Sequence, residues 1–584
     1  MPYAAPLADM RFVLEELAAL GRGAPEEPVP ADLLDAILFA AGRFAETVLD
    51  PLNEAGDRAG STFENGVVRT PPGFQEAYRR YVEAGWNSLT ADPSHGGQGL
   101  PFALSAAVAE MWTSAAMSFA LCPLLNRGAV TLLEAHGSPQ LKKRYLEKLV
   151  RGEWTGTMNL TEPQAGSDLA ALRTQATPED DHYRLRGQKI FITYGDHDLA
   201  PNIVHMVLAR TPGARPGSKG LSLFLVPKFL PDPDGHPGER NGVKTLRLEK
   251  KLGIHASPTC VLAYEDAVGW RIGEEGSGLE LMFTMMNNAR LNVGLQGVGI
   301  AERAYQRARE FARERVQGRP LTAPPASEVP PILHHPDVRR MLLFMRAGTE
   351  ASRALSYYAA GLIDRARDGP DAKACAARAD LLIPVVKAWC TDLAVAVASE
   401  GIQVHGGMGY IEETGAAQYL RDARILPIYE GTNGIQAQDL VLRKLARDGG
   451  AAARLLLAEM RETALLAAGS SSADIAGIGR ALADAVATVE SATAHLVQAE
   501  PPAAAAGSRP YLELFGIVAA GWLLARLALA GEKRVAEGSG DSAFFAAKRK
   551  TARFYGEHFL ALAPGFLAAV GSGESILDFP LDRL

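Results

Sequence analysis

Two long stretches of helical periodicity flank a stretch of short, turn-bounded apolar runs, and this order restricts the fold more than any other feature. From residue 1 to about 155, segments such as AAGRFAETVLDPLNEAG and QLKKRYLEKLVRG space their apolar residues three and four apart. The Pro/Gly-rich NSLTADPSHGGQGLP separates them as a loop. After Trp154 the texture changes. HYRLRGQKIFIT, NIVHMVLAR, GLSLFLVP and CVLAYEDA alternate, or run apolar over the length of a strand, between turn residues. Helical periodicity returns at LELMFTMMNNARLNVGLQGVGIAERAYQRAREFARERV and holds to about Arg447, interrupted by PLTAPPASEVPPILHHP. The expectation is an α+β protein, mainly α: an N-terminal helical domain (1–155), a central antiparallel β domain (156–270) and a helical bundle (271–447).

The remainder, 451–584, is Ala-rich and reads as an extra C-terminal helical domain. Ile475, Ile478, Leu482, Val486 and Val489 share one helix face, and EPPAAAAGSRP reads as a loop or linker. YLELFGIVAAGWLLARLALA approaches the length of a bilayer span. Glu513 and Arg526 lie inside it and are costly in lipid, so a helix buried in protein is expected rather than membrane insertion. The opening MPYAAPLADMRFVLEELAAL carries Asp9, Arg11, Glu15 and Glu16 where a signal peptide needs an apolar run, and reads as an amphipathic helix.

A net charge of −7, with both signs interspersed, argues against a general binder of nucleic acid or anionic membrane. A phosphorylated ligand stays open, because local donors hold phosphates without a basic surface. Four dispersed cysteines without a CxxC pair argue against a disulfide scaffold or zinc ribbon and suit a reducing cytoplasm. The sequence has no GxxxxGK[ST], HExxH or GxSxG motif. His334 and His335 precede Pro336 at an expected helix start; the pair is too small for a metal site, and none is expected.

Three segments carry candidate chemistry. ILPIYEGTNGIQ puts Glu430 between apolar residues and a tight turn, at the lip of a helix starting near Gly434. By pattern it is a solvated turn acid or a base aimed at a ligand on the helix end. MNLTEPQAGSD crowds Thr161, Ser167 and backbone donors into one loop, which turns a corner or cradles a cofactor. QVHGGMGY is glycine-rich without matching GxGxxG, and calls for close backbone approach or a sharp turn.

Taken together, MNLTEPQAGSD, GQKIFIT, KKLGIHASPTC, QVHGGMGYIEE and RDARILPIYEGTNGIQ resemble, in order and spacing, the acyl-CoA dehydrogenase family, over about residues 30–445. The C-terminal block and PYAAPLADMRFVL resemble its longer subgroup, which includes 3-methylmercaptopropionyl-CoA dehydrogenases and enzymes of ordinary fatty acyl-CoAs. The resemblance implies FAD held between a helical domain, a β domain and a helical bundle. It implies flavin and pyrophosphate contacts from Thr161 and Ser167, a wall against the isoalloxazine from Phe191, where many members have Trp, and a group near flavin N5 from Thr193. Gln164 stands where a glycine is usual. Arg315 resembles the arginine that reaches the FAD phosphates, although the aromatic residue usual before the following glycine is missing. Gln403, Gly406 and Gly407 resemble the segment touching FAD of a neighbouring subunit, which implies a homodimer or homotetramer; the resemblance also implies a cofactor contact from Thr432. Ser167, Arg290, Glu430 and Gly431 would border the acyl-CoA substrate. Glu430 matches the catalytic base; the alternative position used by some members, before Arg290 in NNAR, is Ala289 and has no carboxylate.

The implied reaction is α,β-dehydrogenation of an acyl-CoA thioester to the 2-enoyl-CoA, with an electron-transfer flavoprotein as acceptor. The helix N-terminus favours an ionised Glu430, while burial beside flavin and acyl chain disfavours it, and desolvation is expected to win. Two other readings compete. An acyl-CoA oxidase shares fold and base but passes electrons to oxygen. A flavin-containing DNA-binding relative of the alkylation response has an extended C-terminus; here that block is slightly acidic, and its basic cluster is Lys548, Arg549, Lys550 and Arg553. Nitroalkane oxidation is disfavoured, since that related chemistry uses Asp at the position of Glu430.

Overall fold

The structure, a computed structural model, describes residues 2–20, 29–321, 328–367 and 370–584. Part of the interruption PLTAPPASEVPPILHHP lies outside the described residues; Pro336, at its end, opens the helix Pro336–Arg365 with His335 as its cap. Pro at the first helical position gives up only an N–H that has no partner there.

The N-terminal helix Leu7–Leu17 buries Met10, Phe12, Val13, Leu14 and Leu17 on one face. The helix Phe102–His136 is buried over most of its length. One element of this region is absent from the sequence reading: strands Thr62–Glu64 and Val67–Arg69 pair antiparallel as a hairpin. Asn65 and Gly66 turn it, both at positive φ, the Asn-Gly signature of a tight hairpin.

Seven strands build the central domain, in the order Val243–Leu248, Thr259–Ile272, His182–Thr193, Gln175–Glu179, Ile203–Arg210, Thr155–Asn159. The seventh, Leu221–Pro227, pairs with both Thr259–Ile272 and Ile203–Arg210, so the sheet closes on itself. The pairings are antiparallel except those of Ile203–Arg210 with Thr155–Asn159 and, at one residue, with Gln175. The exception has a physical origin: Thr155–Asn159 is separated from Ile203 by a long crossover, which a parallel neighbour requires.

The helices Gly278–Glu314 and Ala372–His405 run side by side in one direction: a Cβ on Gly297 would meet the Cys390 carbonyl oxygen at 2.6 Å, and Phe311 packs on His405 with ring centroids 4.5 Å apart. This pair carries the site described below.

In the C-terminal domain Ile475, Ile478, Leu482, Val486 and Val489 are all fully buried on the helix Ala473–Gln498. EPPAAAAGSRP is not a linker. It forms the first turns of the single helix Pro501–Ala536, with Pro501 and Pro502 at its start and Pro510 inside. Proline at a helix start forfeits nothing, and the alanines between are the best helix formers. The apolar stretch from Tyr511 belongs to the same helix. Three helices are long and apolar enough to cross a membrane (Phe102–His136, the one from Ala372 and this one), and their apolar windows are each 83% buried inside the protein. Glu513 accepts from Arg509, and the Arg526 guanidinium lies 5.2 Å from the Trp522 ring centroid.

A buried ionic cluster joins the N-terminal helix, the bundle and the C-terminal domain. Arg353 donates to Asp9 at 2.6 Å, Glu110 at 2.9 Å and Glu302 at 2.8 Å, and Lys548 pairs with Asp9 and Glu350.

Candidate active site

A cavity of about 360 Å³ opens where the β domain meets the bundle. Its floor comes from the loop after Thr155–Asn159, with Leu160, Thr161, Ser167 and Ala170. Glu162 organises that loop from below. Its carboxylate accepts from the backbone N–H of Arg173 (2.7 Å) and Thr174 (3.0 Å), from Gln164 (2.7 Å), and from Lys189 (2.9 Å). Lys189 also donates to the Leu160 carbonyl at 2.9 Å. With this many donors the carboxyl is held down at about 2, Lys189 being the main stabilising partner against the cost of burial. Gln164, where the family has glycine, ties the loop across itself by also donating to the Ala171 carbonyl at 3.2 Å.

Phe191 and Thr193 form one wall. Between the pairs Ile192–Cys260 and Lys189–Leu262 the strand His182–Thr193 carries one extra residue, a β-bulge. The bulge puts Phe191 at φ +60° and leaves its ring 59% exposed on the cavity wall. Among the described residues, none bonds the hydroxyls of Thr161, Ser167 or Thr193.

Glu430 stands on the bundle side. It has φ +55° and Gly431 φ +81°, two successive left-handed residues. For glutamate that conformation costs about 1–2 kcal/mol, a strain typical of functional turns. Pro427 accepts from the Asn433 N–H at 3.0 Å, which closes the turn. Thr432 then caps the helix Asn433–Gln438 by accepting from the Ile435 N–H at 3.3 Å. Burial lifts the Glu430 carboxyl above the ordinary range, and Arg290 and Lys387 oppose the shift. Desolvation therefore dominates at Glu430. Among the described residues, none accepts from the Glu430 backbone N–H.

Arg290 and Arg443 complete the wall, each with its guanidinium 5.8 Å from the Phe283 ring centroid. Asp439 lies between them, 3.4 Å from Arg290 and 3.3 Å from Arg443. A π-helical stretch, Asp439–Leu445, continues the helix beyond Glu430. Local widening of this kind is frequent at functional sites.

The cavity thus brings together Thr161, Ser167, Phe191, Thr193, Arg290, Glu430 and Gly431, with Thr432 next in the chain. It does not include Arg315, Gln403, Gly406 or Gly407. Arg315 ends the helix Gly278–Glu314, and Gln403, Gly406 and Gly407 end Ala372–His405, exposed at the far end of the bundle. Lys387, Glu162, Lys189, Asp439 and Arg443 belong to the site and were not singled out from the sequence. A lysine inside the apolar run LLIPVVKAWC was the available signal for one of them.

Family models match in chain order: acyl-CoA dehydrogenase N-terminal domain over 34–153, middle domain over 157–267, C-terminal domain over 276–445, and an acetyl-CoA dehydrogenase C-terminal-like domain over 456–580. The chain is 49% identical to a 3-methylmercaptopropionyl-CoA dehydrogenase of Ruegeria pomeroyi, covering all of both chains. It is 36% identical to a broad-specificity linear acyl-CoA dehydrogenase of Mycobacterium tuberculosis, covering 96% of each. The fold matches a Bacillus anthracis acyl-CoA dehydrogenase solved with FAD at TM-score 0.72 and 23% identity, over 96% of this chain and 90% of that one. With those four domains in order along nearly its whole length, the chain belongs to the acyl-CoA dehydrogenase family of FAD-dependent oxidoreductases.

Proposed function

We propose that Glu430 is the base that removes the α proton of an acyl-CoA, and that the preferred acyl group is short, 3-methylmercaptopropionyl first among candidates. One observation carries the assignment of the base: a strained turn presents the Glu430 carboxylate at the wall of the cavity while its own N–H stays uncommitted. That N–H is then free to donate to the thioester oxygen as negative charge develops there, which an α proton of such weak acidity requires. A carboxyl lifted by desolvation is a better base at neutral pH than an ordinary one.

The residues present fit FAD. An exposed Phe191 ring on a strained bulge suits a flat ring system laid against it, and the hydroxyls of Thr161, Ser167 and Thr193 supply donors at its edge. FAD, when bound, accepts the hydride from the substrate's β carbon. In this reading Gly431 and Thr432 border the thioester and cofactor, and Arg290 and Ser167 the substrate. Arg315, Gln403, Gly406 and Gly407 contact the cofactor of a neighbouring subunit in a homodimer or homotetramer. Tyr410, 85% exposed beside that segment, suits such an interface.

The cavity is proposed to hold both the flavin edge and the acyl group. Its apolar lining of Leu125, Met158, Leu279, Phe283 and Met286 suits a thioether as well as a hydrocarbon. The 49% identical relative carries that thioether substrate in its name, whereas the M. tuberculosis relative favours linear acyl chains as the second reading. An electron-transfer flavoprotein in a reducing cytoplasm is the proposed setting, which the four buried free cysteines suit. Residues 451–584 are proposed to be structural. Lys548 is buried in ion pairs and Arg553 pairs with Asp474 and Glu557, so two of the four residues of the basic cluster are engaged within the protein.

Anaerobic titration with 3-methylmercaptopropionyl-CoA and saturated acyl-CoAs of graded length, followed by flavin absorbance, tests the reading. Fastest bleaching by the thioether or by short chains is expected. Fastest bleaching by long chains overturns the substrate, and no bleaching by any overturns the reading. Peroxide release on re-aeration at the rate of turnover would select the oxidase.

A further inference from the structure

Behind the Glu430 turn, on Ala372–His405, lies Lys387, fully buried. Its ammonium donates to the Gly431 carbonyl and to the Asn433 side-chain carbonyl, each at 2.8 Å. Asn433 is itself fixed, donating to Ala388 (3.1 Å) and Thr391 (3.0 Å) on the same helix. Gln436 reaches back to the Glu430 carbonyl at 3.2 Å. Thus one buried cation grips both the residue after Glu430 and the first residue of the following helix.

Packing alone does not explain a lysine here. Burying an ammonium carries a heavy desolvation cost, and both of its acceptors here are uncharged carbonyl oxygens, which a neutral donor would satisfy as well. Methionine would fill the slot without that cost. The charge has an object: Lys387 and Arg290 are the two cations acting on the Glu430 carboxylate.

We propose that Lys387 is a positioning residue of this site: it clamps the left-handed turn through the Gly431 carbonyl and sets a positive charge behind Glu430, so that the base stays ionised and aimed into the cavity. The proposal rests on the reading of Glu430 as the base. The charged groups around the pair are Arg290 on Gly278–Glu314, with Asp439 and Arg443 behind it, and Asp392 on the helix of Lys387, paired with Arg509 of the C-terminal domain. Burial pushes Lys387 down to about 7, with Glu430 opposing. Its charge is therefore present below that pH and fades above it.

The test compares the flavin-loaded protein with Lys387→Gln and Lys387→Arg. Flavin reduction is followed against pH with the best acyl-CoA, and affinity is measured for the enoyl-CoA product. For Lys387→Gln the acid limb should move up by about one pH unit, so that the rate at a pH on that limb falls about tenfold, with enoyl-CoA affinity nearly unchanged. Lys387→Arg should keep the limb in place. An unmoved limb and rate in Lys387→Gln, or an equal shift in both variants, overturns the proposal. A measurement on the unaltered protein needs no folded Lys387 variant: infrared titration of the Glu430 carboxylate band, assigned by its loss in Glu430→Gln. That band should shift as Lys387 loses its proton, between about 7 and the ordinary lysine value of about 10.4; a band constant across that whole range overturns the proposal. If no acyl-CoA bleaches the unaltered protein, the dehydrogenase reading fails, and the band still decides the pairing.

Discussion

Lys189 Nζ donates to Glu162 Oε1 at 2.9 Å, with both side chains buried, directly beneath the loop that carries Thr161 and Ser167. The partners are unequal. Glu162 has backbone and hydroxyl donors besides Lys189 and is held at about 2, whereas burial pushes Lys189 down to about 8. The carboxylate's stabilisation is complete above its unfolded value of about 4.3 and is lost as pH falls through about 2. Lysine works the other way: its charged form costs stability below about 8, and that cost fades as pH rises toward about 10.4. Lys189→Met leaves the buried carboxylate with neutral donors only, at a cost of up to about 3–5 kcal/mol. The expected outcome is FAD binding weakened at least tenfold at pH 7, with acid release of flavin shifted to higher pH. Unchanged flavin affinity by fluorescence quenching would count against the loop's dependence on this pair.

Glu430→Gln keeps the shape of the turn and removes the proposed base. Flavin reduction should fall about 10²–10⁴-fold, the usual contribution of a general base, while enoyl-CoA affinity stays close to normal. The raised carboxyl also makes a stability statement. The folded protein binds a proton more tightly here than the unfolded chain, so stability falls as pH rises from the unfolded value to the folded one, and the cost persists above it. Melting curves of the flavin-free protein should therefore show Glu430→Gln more stable than the unaltered chain at pH 8 and level with it near pH 4.

Local pattern carried much of this. The block order was legible because strand and helix periodicities and turn residues are short-range signals; the five motifs were legible only through their resemblance to the acyl-CoA dehydrogenase family. Thr161, Phe191, Thr193, Arg290 and Glu430 reached one cavity from motifs far apart in the chain. What stayed hidden was pairing over long separations. Lys387 meets Gly431 and Lys189 meets Glu162 through folding alone. The left-handed bulge at Phe191 depends on the register with Cys260, which one strand's sequence does not reveal. EPPAAAAGSRP has the composition of a linker, but proline at a helix start suits the helix, and Pro501 and Pro502 open one here. The hairpin at Asn65–Gly66 carried a readable turn signal but strands of three residues, too short for an alternation pattern.

Arg353 is the keystone of the ionic cluster, with Asp9, Glu110 and Glu302 all accepting from one guanidinium. Arg353→Met removes one cation and strands three carboxylates, of which Asp9 retains Lys548. A loss of about 3–5 kcal/mol is expected in denaturant unfolding. Arg353→Lys should recover little of it, because one ammonium cannot span three carboxylates as a planar fork does. Near-normal stability of the Lys variant would mean that charge, not geometry, holds the cluster.

Gly516, midway along Pro501–Ala536, lies against Trp389, two residues beyond Lys387; a Cβ there would meet the Trp389 side chain at 2.5 Å. The C-terminal domain therefore rests on the same helix that clamps the Glu430 turn, and Arg509 pairs with Asp392 alongside. Gly516→Ala gains about 1 kcal/mol of helix propensity and pays about 1–3 kcal/mol in overpacking, for a small net loss. Gly516→Val, larger and β-branched, should lever the helix away from Trp389. Limited proteolysis is then expected to release 451–584 from Gly516→Val sooner than from the unaltered chain, and flavin reduction at saturating acyl-CoA should fall with it. If the domain is released while reduction stays normal, the extension is a passive cover, and the Glu430 turn is held by the bundle alone.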